Sequence, residues 1–233
     1  MPRKRRPGAL DELTRTALVV FARTGFRQAQ MADVAREMGV ALGTLYSYVE
    51  SKDALFGLVV DRAFTEGSWT DIELPIPTPA PTDLLERTRL RMEHLTELPR
   101  LDAAQRPGQG EQPRAELREV LEEIWDLTLE TRLAADMIEK SARDWPELSE
   151  LFYAKIRRDL FARLQAYLVA QMRLARFRSD GDPAIMARTA LETITFWARH
   201  RYRDPDGLGP SDTDARQTVL EFLVDGIAGT DQT

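Results

Sequence analysis

Along most of this chain apolar residues recur three and four positions apart, the spacing of one helical face, and no stretch shows the strict alternation of a half-buried strand. The first run, residues 13–24, gathers Ala17, Leu18, Val20 and Phe21 on a broad apolar face. Gly25 follows where a left-handed C-terminal cap is wanted, and Phe26 can then fold back onto the helix just left. Residues 31–38 place Met31, Val34, Ala35 and Met38 at i, i+3, i+4 and i+7. Gly39 turns the chain, Val40 fills the corner, and a short helix covers residues 41–47. Ser51 caps a fourth helix over residues 52–66. Further helices are predicted from a Thr82 cap to residue 98, over 114–142, from an Asp144 cap to 177, over 182–202, and from a Ser211 cap to 226. Between them lie irregular stretches at 68–82, where Pro75, Pro77, Pro79 and Pro81 alternate, at 99–113 and at 203–210. The pattern predicts an all-α protein. Residues 1–51 form a three-helix unit with a basic arm, and residues 52–233 a larger helical domain.

A helix, a short turn containing glycine and a second helix make the helix-turn-helix pattern, whose second helix is expected in the major groove of DNA. The residues Phe21, Gly25, Phe26, Met31, Ala32, Val34, Ala35, Gly39 and Val40, followed by the run GTLYSYVESKDAL from Gly43 to Leu55, are similar to the N-terminal domain of the tetracycline-repressor (TetR) family of bacterial transcriptional regulators. The match covers about a fifth of the chain and is specific in order and spacing. Ala41 stands where that family often has Ser or Thr, and Gln30 where Thr is usual. The resemblance implies a homodimer joined through the last two helices, a palindromic operator, and a small apolar or amphipathic effector bound inside the helical body. A repressor released by its effector is the expectation.

Charge changes the picture further. The whole chain carries a net −6, which by itself argues against a nucleic-acid partner. Yet residues 1–52 hold nine Lys/Arg to five Asp/Glu, a net of +4, and the remainder 23 to 33, a net of −10. A basic head on an acidic body suits a DNA-binding module with a separate regulatory part. Arg3, Lys4, Arg5 and Arg6 are consecutive between prolines and form an arm suited to phosphates or the minor groove. On the third helix Leu42, Gly43, Thr44, Tyr46 and Ser47 are left facing outward, with Tyr48 and Lys52 just beyond. Gly43 permits close approach to a phosphate, while Thr44, Tyr46, Tyr48 and Lys52 offer donors. Base reading falls to Leu42 and Thr44, with Gln30 or Ala41.

In the body, Trp125, Met137, Phe161 and Phe196 are candidates to line an effector cavity, with Thr128, Arg132 and Thr193 as its polar contacts. Taken one by one, each reads first as a core residue; the cavity reading is of the set. Ile185, Met186, Thr189, Ala190, Thr193, Ile194 and Trp197 spread over more of their helix than one neighbour covers, as do Val219, Leu220, Phe222, Leu223 and Ile227 on the last helix. A twofold mate on both helices accounts for that width; a generous intrachain core is the alternative.

Several function classes fall away. The chain has no cysteine, so thiolate metal sites are excluded, and no apolar run approaches the roughly 18 residues of a membrane span. No secretory h-region follows the basic N-terminus, and a cytoplasmic protein is expected. His94 and His200 are the only histidines, and no phosphate loop, HExxH or GxSxG occurs. No catalytic residue, cofactor or metal is therefore expected. The competing readings are a helical dimeric interaction protein that binds no operator and, more remotely, a helical enzyme.

Overall fold

A computed structural model describes residues 8–63, 72–94, 97–105, 112–206 and 209–229. The basic arm at residues 3–6 lies outside them. The described chain is helical, in the order α1 (Ala9–Thr24), α2 (Met31–Met38), α3 (Leu42–Leu45), α4 (Lys52–Ala63), α5 (Pro81–His94), α6 (Pro99–Ala104), α7 (Pro113–Glu130), α8 (Arg132–Ala142), α9 (Pro146–Ser149), a π-helical segment (Glu150–Arg157), α10 (Arg158–Arg173), α11 (Pro183–Ala198), a 3-10 turn (His200–Arg203) and α12 (Asp212–Ala228). The only extended pairing among the described residues is a single parallel bridge between Val49 and Ile76.

The chain forms two compact units. The first comprises Met1–Leu95 with Leu133–Ile156, the second Thr96–Arg132 with Arg157–Thr233. This grouping cuts across the division at residue 52 read from the sequence. The reason is that α4 packs on both α1 and α5, and the segment 133–156 supplies Met137, Ile138, Ala142 and Leu148 to the same core as Phe21, Leu55 and Phe56. Four rings tie the first unit together: Phe26 lies 6.1 Å from Phe21, 4.9 Å from Phe56 and 5.6 Å from Trp145. Such contacts add about 0.5–1.5 kcal/mol each beyond the area they bury. At the end of α1 the backbone runs against α8, where the Phe26 N–H donates to Ser141 Oγ at 3.0 Å. Ser141 in turn donates to the Met137 carbonyl at 2.7 Å.

The second unit packs α7, α10, α11 and α12 around Leu121, Trp125, Leu164, Tyr167, Ala190, Ile194 and Leu220. Small residues Ala187, Ala190 and Ala198 on α11 are fully buried and let its neighbours approach closely.

Several predicted boundaries move, each for a local reason. Gly25 has φ +81° and ψ 163°, so it is not the left-handed helical cap; Gly39, at φ +66° and ψ 31°, is. The helix expected over 114–142 breaks at Thr131. There the hydroxyls of Thr128 and Thr131 donate back to the carbonyls of Ile124 and Leu127, and Arg132 donates to the Leu129 carbonyl. Such back-bonding bends a helix. Pro146 occupies the first turn of α9, so Trp145, not Asp144, is the capping position. Pro81 likewise starts α5 ahead of Thr82. The loop expected at 99–113 contains α6, whose first two free N–H groups, from Arg100 and Leu101, both go to the Glu123 carboxylate at 3.0 Å. The caps at Ser51 and Ser211 are as expected, accepting from Ala54 and from Asp214, and Asp182 caps α11 by accepting from Ala184 and Ile185. No helix of the described residues is long and apolar enough to cross a membrane.

Candidate nucleic-acid interface

The interface is built on α3, a helix of four residues that has no stability of its own at this length. Leu45 holds it. That side chain is fully buried, contributing about 1.5–3 kcal/mol, and it fixes which way the rest of the helix points. Ala41, Leu42, Gly43, Thr44, Tyr46 and Ser47 are all exposed around it. Leu42 and Tyr46, large and partly apolar, stand 42% and 45% exposed. A Cβ built on Gly43 would meet nothing within 4 Å, and its φ is ordinary. Neither backbone conformation nor packing demands glycine there.

The turn before α3 is set by α2. Asp33 accepts the Gln30 N–H at 3.1 Å and pairs with Arg36 at 2.7 Å. The Gln30 backbone bond and then Arg36 hold the Asp33 carboxyl below its usual range. Gln30 itself is exposed at this N-cap.

Two expected contacts are placed otherwise. Tyr48 is buried to 7% exposure, so its ring belongs to the core beneath α3. Lys52 donates to the carbonyls of Arg27 and Ala29, at 3.1 and 2.9 Å, and its ammonium sits 4.8 Å above the Phe26 ring. Partial burial lowers its pKa. Two of its three donors thus tie the α1–α2 connection to the start of α4. The sequence offered no signal for this, since the carbonyls that bind Lys52 lie 25 and 23 residues upstream.

Residues 13–59 match the family model described as bacterial regulatory proteins, tetR family. The chain carries the TetR-family DNA-binding domain. No curated protein matches the chain. Among solved structures, the ketosteroid transcriptional regulator KstR2 of Mycobacterium tuberculosis is 16% identical with TM-score 0.59, over 96% of this chain and 97% of that one. The MbdR regulator from Azoarcus sp. CIB has the same identity and score, over 93% and 97%. SmeT, described as the repressor of the Stenotrophomonas maltophilia multidrug efflux pump SmeDEF, is 15% identical with TM-score 0.50, over 96% and 91%. Over nearly its whole length the chain therefore shares the fold of these solved regulators, with the tetR family match confined to its helix-turn-helix segment.

The residues singled out for a ligand do not form one set. Met137 is fully buried in the first unit's core, whereas the other six belong to the second unit. Trp125 is buried there, Phe161 and Thr193 are half-buried, and Phe196 is 40% exposed, edge-on to Trp197. Thr128 spends its hydroxyl on the Ile124 carbonyl, and Arg132 bonds the Leu129 carbonyl while lying 5.0 Å over the Tyr202 ring. The sequence reading missed the polar group deepest in this unit. Tyr167 and Gln171, one turn apart on α10, both donate to Glu116 Oε1, at 3.2 and 2.9 Å. Burial, then the Glu116 charge, pushes the Tyr167 phenol well above its usual pKa. Gln171 Oε1 is buried with no hydrogen-bond partner among the described residues. Two polar side chains at i and i+4 on an otherwise apolar face were the available signal.

Among the described residues no group of His, Asp and Glu is arranged to hold a metal ion. The His94 side chain lies outside the described set.

Proposed function

We propose that the chain is a ligand-responsive transcriptional repressor that binds a palindromic operator as a homodimer. The observation that carries this reading is the outward row on α3, six exposed residues around the single buried anchor Leu45, in a domain that matches the family model. Ala41, Leu42, Gly43, Thr44 and Tyr46 meet the duplex, Gln30 and the arm at Arg3, Lys4, Arg5 and Arg6 supply backbone contacts, and Lys52 and Tyr48 shape the surface from behind. The functional division is kept at residues 1–51 and 52–233.

A second copy covers the last two helices. Ile185 on α11 is 66% exposed and Phe222 on α12 is 70% exposed, while Thr218 and Gly226 extend the same α12 face one turn either way. A Cβ at Gly226 would meet nothing within 4 Å, which leaves room for a mate's side chains. The dimer presents two α3 helices to successive major grooves. A small apolar or amphipathic effector binds within the second unit, among Trp125, Phe161, Thr193 and Phe196, with Thr128 and Arg132 at its edge and the Gln171 acceptor as a further polar anchor. Release follows from unequal effector affinity for the DNA-bound and free shapes.

The test is fluorescence anisotropy of the purified full chain on duplexes from its own upstream region, across salt concentrations. Saturable, sequence-selective binding that weakens steeply with salt is expected. A dimer that binds no duplex selectively, even at low salt, would favour the interaction-protein reading.

A further inference from the structure

The chemistry of the outward row restricts what it can read. Ala41, Leu42, Gly43, Thr44, Tyr46 and Ser47 include no guanidinium, ammonium, carboxylate or carboxamide. The strong hydrogen-bonded codes need those groups: Arg or Lys for guanine O6 and N7, Asn or Gln for adenine N6 and N7, Asp or Glu for cytosine N4. The hydroxyls left are partly committed, since Ser47 donates to the Thr44 carbonyl at 2.6 Å. Lys52 is held by the carbonyls of Arg27 and Ala29, Gln30 caps α2, and the exposed Arg27 and Gln28 lie in the α1–α2 connection, so none of these stands on α3. What the row does offer is methyl surface: the Ala41 methyl, the exposed Leu42 isobutyl group and the Thr44 methyl. In the major groove one group matches that surface, the C5-methyl of thymine.

We propose that α3 selects its operator through thymine methyls, with Leu42 as the principal specificity-determining residue and Ala41 and Thr44 beside it. The inference rests on the operator-binding reading above. It says that each half-site carries thymine under Leu42, that guanine has no dedicated partner on α3, and that discrimination comes from apolar contact, with phosphate bonds supplying affinity but no sequence. Thymine differs from uracil by that methyl alone, so the contact can be removed without touching charge, pairing or backbone.

The experiment uses the full chain and a duplex recovered from a random pool by repeated rounds of selection. Each thymine of one half-site is replaced in turn by deoxyuridine, and Kd is measured for the wild type and for Leu42→Ala. Burying one methyl is worth about a fourfold change in Kd. At one or two positions uracil should weaken wild-type binding by about that factor, with no change in the slope of log Kd against log salt. At the Leu42 position the thymine-to-uracil ratio should fall to near one in Leu42→Ala. Leu42 is exposed, so the variant keeps its fold, and circular dichroism checks this. Uracil tolerated at every position, or a methyl effect that survives unchanged in Leu42→Ala, overturns the proposal while leaving DNA binding intact. Failure to recover any selective duplex removes the operator-binding reading and this inference together.

Discussion

Adding one methyl group at three glycines of the first unit should produce three different outcomes. Gly25 sits at φ +81° and ψ 163°, a region essentially reserved for glycine, and a Cβ there would lie 3.0 Å from the Lys140 carbonyl oxygen and 3.1 Å from its carbon. The backbone strain costs about 1–3 kcal/mol. The contact is with α8 backbone, which cannot rotate away as a side chain would, and forced separation of packed elements costs about 1–3 kcal/mol more. Gly25→Ala should therefore lose about 2–6 kcal/mol, roughly 4–24 °C in Tm for a chain of this size. Gly39, at φ +66° with nothing within 4 Å, meets only the left-handed penalty of about 1–2 kcal/mol. Gly43, helical and open, should gain up to about 1 kcal/mol from the better helix former, yet lose DNA affinity as the methyl enters the space in front of α3. Calorimetry on the three single variants gives the ranking, and anisotropy separates Gly43→Ala from the others. Equal losses for Gly25→Ala and Gly39→Ala would refute the claimed close approach of α1 to α8.

Other predictions follow from single contacts. Lys52→Met should destabilise the first unit by about 1–2 kcal/mol, discounted for its partial exposure, and raise hydrogen exchange between α1 and α2, since two carbonyls lose their donors. Ser141→Ala should cost about 1–3 kcal/mol by leaving the Phe26 N–H without its acceptor, measured by chemical denaturation. The Asp33 carboxyl, held below its usual 3.8, contributes stability that is complete above that value and disappears as pH falls through the lowered folded one. An NMR titration should show it ionising below pH 3.8 while the N-terminus of α2 loses protection only under stronger acid. Phe222→Asp should turn a dimer into a monomer by sedimentation velocity without loss of helicity, because the side chain is already 70% exposed in one chain.

What the sequence revealed divides along physical lines. Period and caps located helices wherever the signal was local: the apolar face of α1, the Ser51 and Ser211 caps, and the glycine that turns α2 into α3. The outward face of α3 was also legible, because a helix anchored by Leu45 leaves few choices for Leu42, Gly43 and Thr44. Contacts set by distant residues were not. Lys52 looked like a free cation because nothing in its neighbourhood announces carbonyls two dozen residues upstream. Tyr48 looked like a donor because a phenol reads the same whether its ring caps a core or faces solvent. The π-helical segment Glu150–Arg157 has the composition of an ordinary helix.

The insertion of residues 133–156 into the first unit has a consequence for biosynthesis. The head helices leave the ribosome first, but Gly25 then faces no Lys140 carbonyl, Phe26 has no Ser141 acceptor, and the rings of Phe26 and Phe56 lack Trp145. At 5–20 residues per second, translation from the end of α4 to residue 156 takes roughly 5–20 s. During that interval the rings of Phe26 and Phe56 lack the partner that later covers them, and a chaperone that shields them would act at this stage. Premature termination after α4 would for the same reason yield an aggregation-prone fragment in place of a free-standing DNA-binding domain.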